Sequence, residues 1–216
     1  MGKYKVTNNQ DFINHKLPKL LKASYKNSKQ QDAVAKDLGY IRLNKYSSVQ
    51  TQVLDAGNHT VIVHRGSKNI QDYADDALIG LGLGNHTHRV RQDRRLTERV
   101  ERETGKRAVH IGHSLGGYLA ETSATKDAPV FTYNKHSVGF TGARFNPNEV
   151  DIHRYGDVAS AFNQFKGKEG ASHSHITVGS RQLSNYWNIL KNHEIITPEE
   201  DNNDINIEKY GKPENS

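Results

Sequence analysis

Residues 112–116 read Gly-His-Ser-Leu-Gly and hold the side chain with the clearest chemical potential in this chain. Gly-x-Ser-x-Gly is the pattern of a nucleophile elbow, in which a serine stands on a sharp turn between a strand and a helix. The flanks suit that context, because 107–111 has strand-like composition and 118–125 is typical of a helix. The alternative is a glycine-rich turn without chemistry. Pattern and flanks together favour Ser114 as a nucleophile.

The chemistry that such a serine performs is acyl transfer. A serine hydroxyl is a poor nucleophile at neutral pH, so it needs an imidazole that takes its proton as it attacks a carbonyl. A carboxylate must orient that imidazole. At least two preorganised donors must also stabilise the oxyanion that develops. The backbone N–H of Leu115, at the start of the predicted helix, is the natural first donor.

The elements that must position these groups alternate along the chain. The pattern predicts, in order, a helical region over 10–37 with a break or new first turn at Pro18, a hairpin over 49–64, a flexible apolar segment over 69–84, a charged helix over 88–103, the elbow unit over 107–126, strands at 129–133, 150–155 and 175–179, and a short helix over 184–191. Strands alternating with helices after a hairpin indicate a largely parallel sheet flanked by helices. We expect one α/β domain over 1–196 and a loosely ordered polar tail over 197–216.

Composition excludes several classes of chemistry. The 216 residues include no cysteine, which removes disulfides, thiolate metal sites and a cysteine nucleophile. The net charge of +6 favours contact with anionic surfaces, although a role in solubility explains it equally well. No run is long enough for a membrane span, and no apolar segment follows the basic N-terminus as a secretory signal would require. We therefore expect no transmembrane segment, and a cytoplasmic location is favoured.

Four short segments together resemble the class 3 (fungal-type) lipases, which have the α/β-hydrolase fold. They are Arg-Gly-Ser at 65–67, Asp-Tyr-Ala-Asp-Asp at 72–76, Gly-His-Ser-Leu-Gly-Gly at 112–117 and Gly-Asp-Val at 156–158. The resemblance spans about residues 49–195. It implies an α/β-hydrolase-like domain with a mostly parallel central sheet, flanking helices and an N-terminal β-hairpin.

The same resemblance implies roles for residues outside the elbow. In this fold the triad runs serine, aspartate, histidine along the chain. Asp157, which follows a predicted strand, is then the carboxylate, and its alternative is a turn-forming role after Gly156. Asp151 is the weaker substitute. Ser67 becomes the second oxyanion donor, beside Leu115, and its alternative is a simple strand-ending turn.

The base is harder to assign, because the chain contains twelve histidines. His193, just after the predicted short helix, resembles the late histidine of the family. His175 and His173, which adjoin a predicted strand, are the alternative bases. His153 precedes Asp157 and so breaks the expected order.

Three positions depart from the family pattern. His64 stands where an aromatic residue usually precedes Arg-Gly, and Tyr73 replaces a tryptophan. The usual proline after the strand that follows the elbow is missing, because residues 133–135 read Tyr-Asn-Lys. These departures bear on the substrate more than on the fold.

Other features have competing interpretations. Residues 68–88 are either a mobile lid or a packed surface helix with a glycine-rich exit. The pairs His86-x-His88 and His173-x-His175 lack a third ligand nearby, so we expect no metal, and no cofactor motif is present. The charged helix mixes signs at helical spacing, which predicts ion pairs on a solvated face and disfavours nucleic-acid binding. Its charges are Arg89, Arg91, Arg94, Arg95, Arg99 and Arg102 with Glu98, Glu101 and Glu103.

The resulting hypothesis is a serine carboxylic-ester hydrolase that acts on lipid esters through an acyl-enzyme, with Ser114, Asp157 and His193 as triad. The substrate stays open between a triacylglycerol, a phospholipid and a small ester, and the positive charge tilts toward an anionic phospholipid surface. The alternative is a catalytically inactive hydrolase-fold protein that binds a lipid surface or a protein partner. The oligomeric state is left open.

Overall fold

The computed structural model describes residues 11–67, 83–135, 148–154, 157, 174–178 and 195, with the backbone alone at 83–88 and 174–178. A π-helical turn, Phe12–Lys16, opens this part of the chain. The helices are α1 (Leu17–Ser24), α2 (Ser28–Asp37), α3 (Leu83–Thr104) and α4 (Leu115–Ser123). The strands are β1 (Ile41–Arg42), β2 (Thr51–Asp55), β3 (Thr60–His64), β4 (Ala108–His113), β5 (Val130–Tyr133), β6 (Glu149–Arg154) and β7 (Ser174–Val178).

Within the described residues, seven strands form one sheet whose spatial order equals their order in the chain. β1, β2 and β3 pair antiparallel, and β3 to β7 pair parallel. The predicted hairpin and the mostly parallel sheet are therefore confirmed. Parallel strands that advance in one direction through right-handed crossovers place the connecting helices on one face. α3 and α4 accordingly pack together on one face, and α1 covers the other.

The face under α1 is the apolar core. Leucines of α1, such as Leu17 and Leu21, pack against Val63 of β3 and Ile111 of β4. Because side chains alternate along a strand, the residues between these positions point to the opposite face, toward α3 and α4. On that face, a second apolar cluster is formed by Val53, Ile62, Val100 and Ala108.

Further along the same face, under α3 and α4, buried polar side chains line the sheet. We call this set the polar layer; it consists of His64, Asp93, His110, Glu121, Thr132, Lys135, Glu149 and Asp151. Buried polar groups are costly unless they are hydrogen-bonded, so such a layer must be internally paired. The sequence pattern does not predict it.

Local signals explain most helix boundaries. Pro18 lies in the first turn of α1, where its missing N–H is not needed. Asn27 caps α2, and its side chain accepts a hydrogen bond from the Gln30 backbone N–H at 3.0 Å. α3 begins at Leu83, earlier than the predicted 88. A glycine costs a helix about 1 kcal/mol relative to alanine, so the pattern places the boundary after Gly84, whereas the helix continues through it.

The exposed side of α3 has the predicted mixture of charges. Arg99 and Glu103 form an i,i+4 ion pair at 2.9 Å, and Lys45 reaches the same carboxylate at 2.7 Å. Over the stretches that the structure describes, no helix is both long enough and apolar enough to cross a membrane.

Candidate active site

Ser114 lies on the turn between β4 and α4, with φ 58° and ψ −128°. A non-glycine residue with positive φ is strained, and such strain persists only where the surrounding structure holds it. Here the Ser114 N–H donates to the Tyr133 carbonyl at 3.1 Å, and the Ser114 carbonyl accepts from the Gly117 N–H at 2.9 Å. The strand, turn and helix predicted for a nucleophile elbow are thus present, and the serine is only 5% exposed.

The two glycines of the pattern allow this turn to pack. A Cβ on Gly112 would lie 2.0 Å from the carbonyl oxygen of Gly116. A Cβ on Gly116 would lie 2.1 Å from the carbonyl oxygen of His64, at the end of β3. Both distances are far below any non-bonded contact. Glycine at these positions therefore lets β4, α4 and the end of β3 approach one another closely.

Residues 65–67, which we call the oxyanion loop, leave β3 beside the elbow. A Cβ on Gly66 would lie 2.8 Å from the His113 carbonyl oxygen and 3.3 Å from the Ser114 Cβ. Ser67, which is half-buried, follows directly. The structure thus brings together the predicted oxyanion loop, Ser114 and the start of α4 at Leu115.

Tyr25, at the end of α1, joins the oxyanion loop to the elbow. Its hydroxyl lies 2.8 Å from Nδ1 of His113. The same hydroxyl packs against Gly66, where a Cβ would lie 2.7 Å from it. Burial raises the pKa of Tyr25 to about 12, so the side chain is a neutral phenol. Sequence reasoning missed this residue, because no motif marks a tyrosine 88 positions before its partner.

The two candidate carboxylates occupy different places. Asp157 follows β6 at the carboxyl edge of the sheet, is 3% exposed, and its N–H donates to the Arg154 carbonyl at 3.1 Å. Ser114 follows β4 at the same edge, where parallel strands end together. Asp151 lies within β6, 2.9 Å from the Thr132 hydroxyl in the polar layer. Asp157 thus lies at the same edge of the sheet as Ser114, whereas Asp151 lies within its strand, and this favours Asp157 as the candidate carboxylate.

The candidate bases are described only in part. His193 and His173 lie outside the described residues. The backbone of His175 is in β7, in register with Asp151, near the amino end of that strand. Most of 68–88, with the Asp72–Asp76 segment and the lid hypothesis, and the predicted helix at 184–191 also lie outside them.

Comparison with known proteins decides the family. A family model described as the Tle-like phospholipase domain matches residues 18–172, a range that contains the oxyanion loop, the elbow and Asp157. The chain belongs to this family. No curated protein matches it.

Solved structures show the fold of this Tle-like domain. A fungal lipase crystal structure has a TM-score of 0.51 at 16% identity, over 77% of this chain and 78% of that chain. The structure of an MDLA variant from Penicillium cyclopium has a TM-score of 0.48 at 16% identity, over 77% of this chain and 78% of that chain. The Rhizomucor miehei lipase in complex with its propeptide has a TM-score of 0.48 at 14% identity, over 76% of this chain and 67% of that chain. The fungal lipase with a TM-score of 0.51 and the family match confirm the predicted α/β-hydrolase fold and the likeness to fungal-type lipases.

Family membership also gives the coarse functional class of the Tle-like domain, a hydrolase of lipid esters. Within the described part of the chain, no group of three or more histidine, aspartate and glutamate side chains is arranged to hold a metal ion.

The two departures from the lipase pattern that the structure describes both belong to the polar layer. His64 Nδ1 lies 3.0 Å from Asp93 Oδ2, and His64 Nε2 lies 3.1 Å from His110 Nδ1. Burial alone would raise the pKa of Asp93, but the charge and hydrogen bond of His64 bring it below its ordinary value. Complete burial, with the charge of His64, holds the pKa of His110 well below its usual range.

Lys135 ends the Tyr-Asn-Lys stretch that lacks the usual proline of the lipases, and it is surrounded by carboxyls. Its Nζ lies 2.6 Å from Glu149 Oε1 and 3.2 Å from Glu121 Oε2. Burial, followed by the charge of Glu149, raises the pKa of Glu121 to about 8. Burial disfavours the charged lysine, yet the negative charges of Glu149 and Asp151 raise the pKa of Lys135. Glu121 therefore holds a proton at neutral pH.

Proposed function

We propose that this Tle-like domain hydrolyses carboxylic esters of phospholipids through an acyl-enzyme on Ser114, with Asp157 as the carboxylate and His193 as the base. The observation that carries the proposal is the strained turn at Ser114, with the oxyanion loop packed against it. Strain of this kind is concentrated at functional sites, and a buried structural turn has no need of it.

The steps follow from the chemistry of a serine triad. His193 accepts the Ser114 hydroxyl proton as Oγ bonds to the ester carbonyl carbon. The N–H groups of Leu115 and Ser67 donate to the oxyanion that forms. Collapse breaks the bond to the alcohol, which leaves with the proton from the imidazolium. Water then loses a proton to the imidazole, attacks the acyl carbon and releases the acid, which restores Ser114.

Two observations support phospholipid as the substrate. The family is described as a phospholipase domain, and the net charge of +6 favours approach to anionic lipid. His175 and His173 are the alternative bases. The register of β7 argues against His175, because its pairing with Asp151 places its backbone away from the carboxyl edge.

The test compares the purified wild-type protein with Ser114→Ala. Substrates are vesicles of phosphatidylglycerol and of phosphatidylcholine, emulsified triacylglycerol, and nitrophenyl esters of graded chain length. We expect turnover of phospholipid that Ser114→Ala and His193→Ala abolish. A fluorophosphonate probe should add its mass to the peptide that contains Ser114. Wild-type turnover no higher than that of Ser114→Ala on every substrate would refute the proposal, and the missing adduct would favour a non-catalytic hydrolase fold.

A further inference from the structure

The amino-terminal half of α3 is fastened to the two residues that precede Gly66. Asp93 binds the imidazole of His64 at 3.0 Å, and Thr51 donates to its other carboxylate oxygen at 3.2 Å. One turn earlier, the Arg89 guanidinium donates to the carbonyl oxygen of Arg65 at 2.7 Å. The helix therefore contacts both the end of β3 and the first residue of the oxyanion loop.

The contact between His64 and Asp93 is made in the protein interior. His64 has no exposed surface, and Asp93 is 6% exposed. Charge-assisted hydrogen bonds are short and strong, and a low local dielectric strengthens them further. Removal of one partner would leave one buried polar atom of the other without this hydrogen bond, so movement of the β3 end is coupled to movement of α3.

The Arg65–Gly66 peptide is held from both sides. Its carbonyl oxygen accepts from Arg89, and on its other side the Tyr25 hydroxyl packs against Gly66, where a Cβ would lie 2.7 Å from it. A trans peptide is planar, with its C=O and N–H pointing in opposite directions. Partners on the two sides therefore fix the rotation of this plane. The next peptide in the chain carries the N–H of Ser67.

The same strand end contacts the other half of the proposed oxyanion hole. A Cβ on Gly116 would lie 2.1 Å from the His64 carbonyl oxygen and 2.9 Å from the Arg65 carbonyl carbon. Gly116 directly follows Leu115. Oxyanion donors act only when both lie within about 3 Å of the developing charge. Any shift of residues 64 and 65 would thus change the spacing between the Ser67 and Leu115 donors.

We infer that Arg89 and Asp93 of α3 are positioning residues, which hold the oxyanion loop so that the Ser67 N–H faces the same point as the Leu115 N–H. The inference rests on the proposed acyl transfer at Ser114. Neither side chain touches the substrate. Each acts through residue 64 or 65, and the position of α3 sets the geometry of the oxyanion hole.

The test uses three variants and one control. Arg89→Ala removes the group that donates to the Arg65 carbonyl oxygen. Arg89→Lys keeps a positive charge on a shorter side chain. Asp93→Asn keeps the shape of the side chain but removes its charge. Arg99→Ala is the matched control, because Arg99 lies on the same helix and its ion pair with Glu103 is exposed. The readouts are thermal unfolding, kcat and KM on a nitrophenyl ester, and the Ki of an alkyl trifluoromethyl ketone, whose adduct carries an oxyanion.

Loss of one oxyanion donor costs on the order of a hundredfold or more in rate, so a misplaced donor should cost about tenfold or more. We expect that loss in kcat for Arg89→Ala and Asp93→Asn, with KM within about twofold of wild type and Ki raised by a similar factor. Arg89→Lys should recover part of the rate, and Arg99→Ala should resemble wild type.

The outcomes separate this inference from the proposed function. An inactive wild-type protein overturns both. An active wild-type protein with folded Arg89→Ala and Asp93→Asn variants of unchanged kcat overturns the inference alone. An equal loss in Arg99→Ala also contradicts it, since any change to the helix would then suffice. If neither Arg89→Ala nor Asp93→Asn folds, the contacts serve the fold, and the inference is wrong.

Discussion

Substitution of Glu121 by glutamine should make the protein more stable, and increasingly so as the pH rises. Glu121 lies on α4 with one carboxylate oxygen 3.2 Å from Lys135 Nζ. Its other oxygen is buried and has no hydrogen-bond partner among the described residues. Burial and the nearby charge of Glu149 raise its pKa to about 8. Ionisation of this side chain in the folded protein is therefore unfavourable.

The magnitude follows from the two protonation equilibria. The pKa of Glu121 rises from an ordinary 4.5 to about 8, and each pKa unit corresponds to about 1.4 kcal/mol. Between these values the folded state binds the proton and the unfolded state does not, so the free energy of unfolding falls as the pH rises. The total loss approaches about 5 kcal/mol and levels off above pH 8. Burial raises the pKa of Glu149 as well, so the free energy of unfolding falls more steeply as the pH rises.

The assay is guanidinium-induced unfolding of wild type and Glu121→Gln at intervals from pH 5 to pH 9. The difference in free energy of unfolding should be small at pH 5 and grow by several kcal/mol by pH 8. Glu98→Gln, a change to an exposed carboxylate of α3, is the control and should show a constant offset. A difference for Glu121→Gln that does not change with pH would refute the reasoning, because Glu121 would then be ionised in the folded protein.

Three further substitutions test other parts of the site. Tyr25→Phe removes the buried hydrogen bond between the tyrosine hydroxyl and His113, which should cost about 1–3 kcal/mol of stability and lower kcat on a nitrophenyl ester. Unchanged kcat would exclude a role for Tyr25 in holding the oxyanion loop. Gly116→Ala should abolish activity and lower the unfolding temperature sharply. The control is Gly105→Ala, at a φ of 66° in open space, which should cost only about 1 kcal/mol of stability. Equal losses of stability in calorimetry would contradict the close approach of Gly116 to the end of β3. Asp157→Asn should lower kcat by about 10⁴-fold while the protein still folds. Asp151→Asn should change stability and leave kcat unchanged. The reverse result would make Asp151 the carboxylate of the triad.

The elbow and the sheet could be predicted from sequence because their signals are local. Glycines flanking Ser114, with a strand before and a helix after, specify one turn within a dozen residues. The signals for the hairpin and the parallel strands are also local, because turn residues and the alternation of apolar and polar residues are visible in short windows of sequence.

The polar layer could not be predicted, because its partners are distant in the chain. Asp93 stands among arginines and has the pattern of a solvated helix position, yet it binds His64, 29 residues earlier. In the sequence, Lys135 is noticed only as part of the Tyr-Asn-Lys stretch that lacks a proline. Its carboxyl partners, Glu121 and Glu149, lie 14 residues away on either side and become neighbours through the fold.

The sequential order of the strands has a consequence for biosynthesis. Each strand pairs with the one made just before it, so the sheet can grow from its β1 edge as the chain emerges, without waiting for a distant segment. β3, β4 and β5, which hold the elbow, are synthesised before β6 and the aspartate that follows it. A nascent chain that has reached residue 135 therefore contains the segments of the serine turn without the proposed carboxylate, and the proposed triad is complete only once His193 has been added.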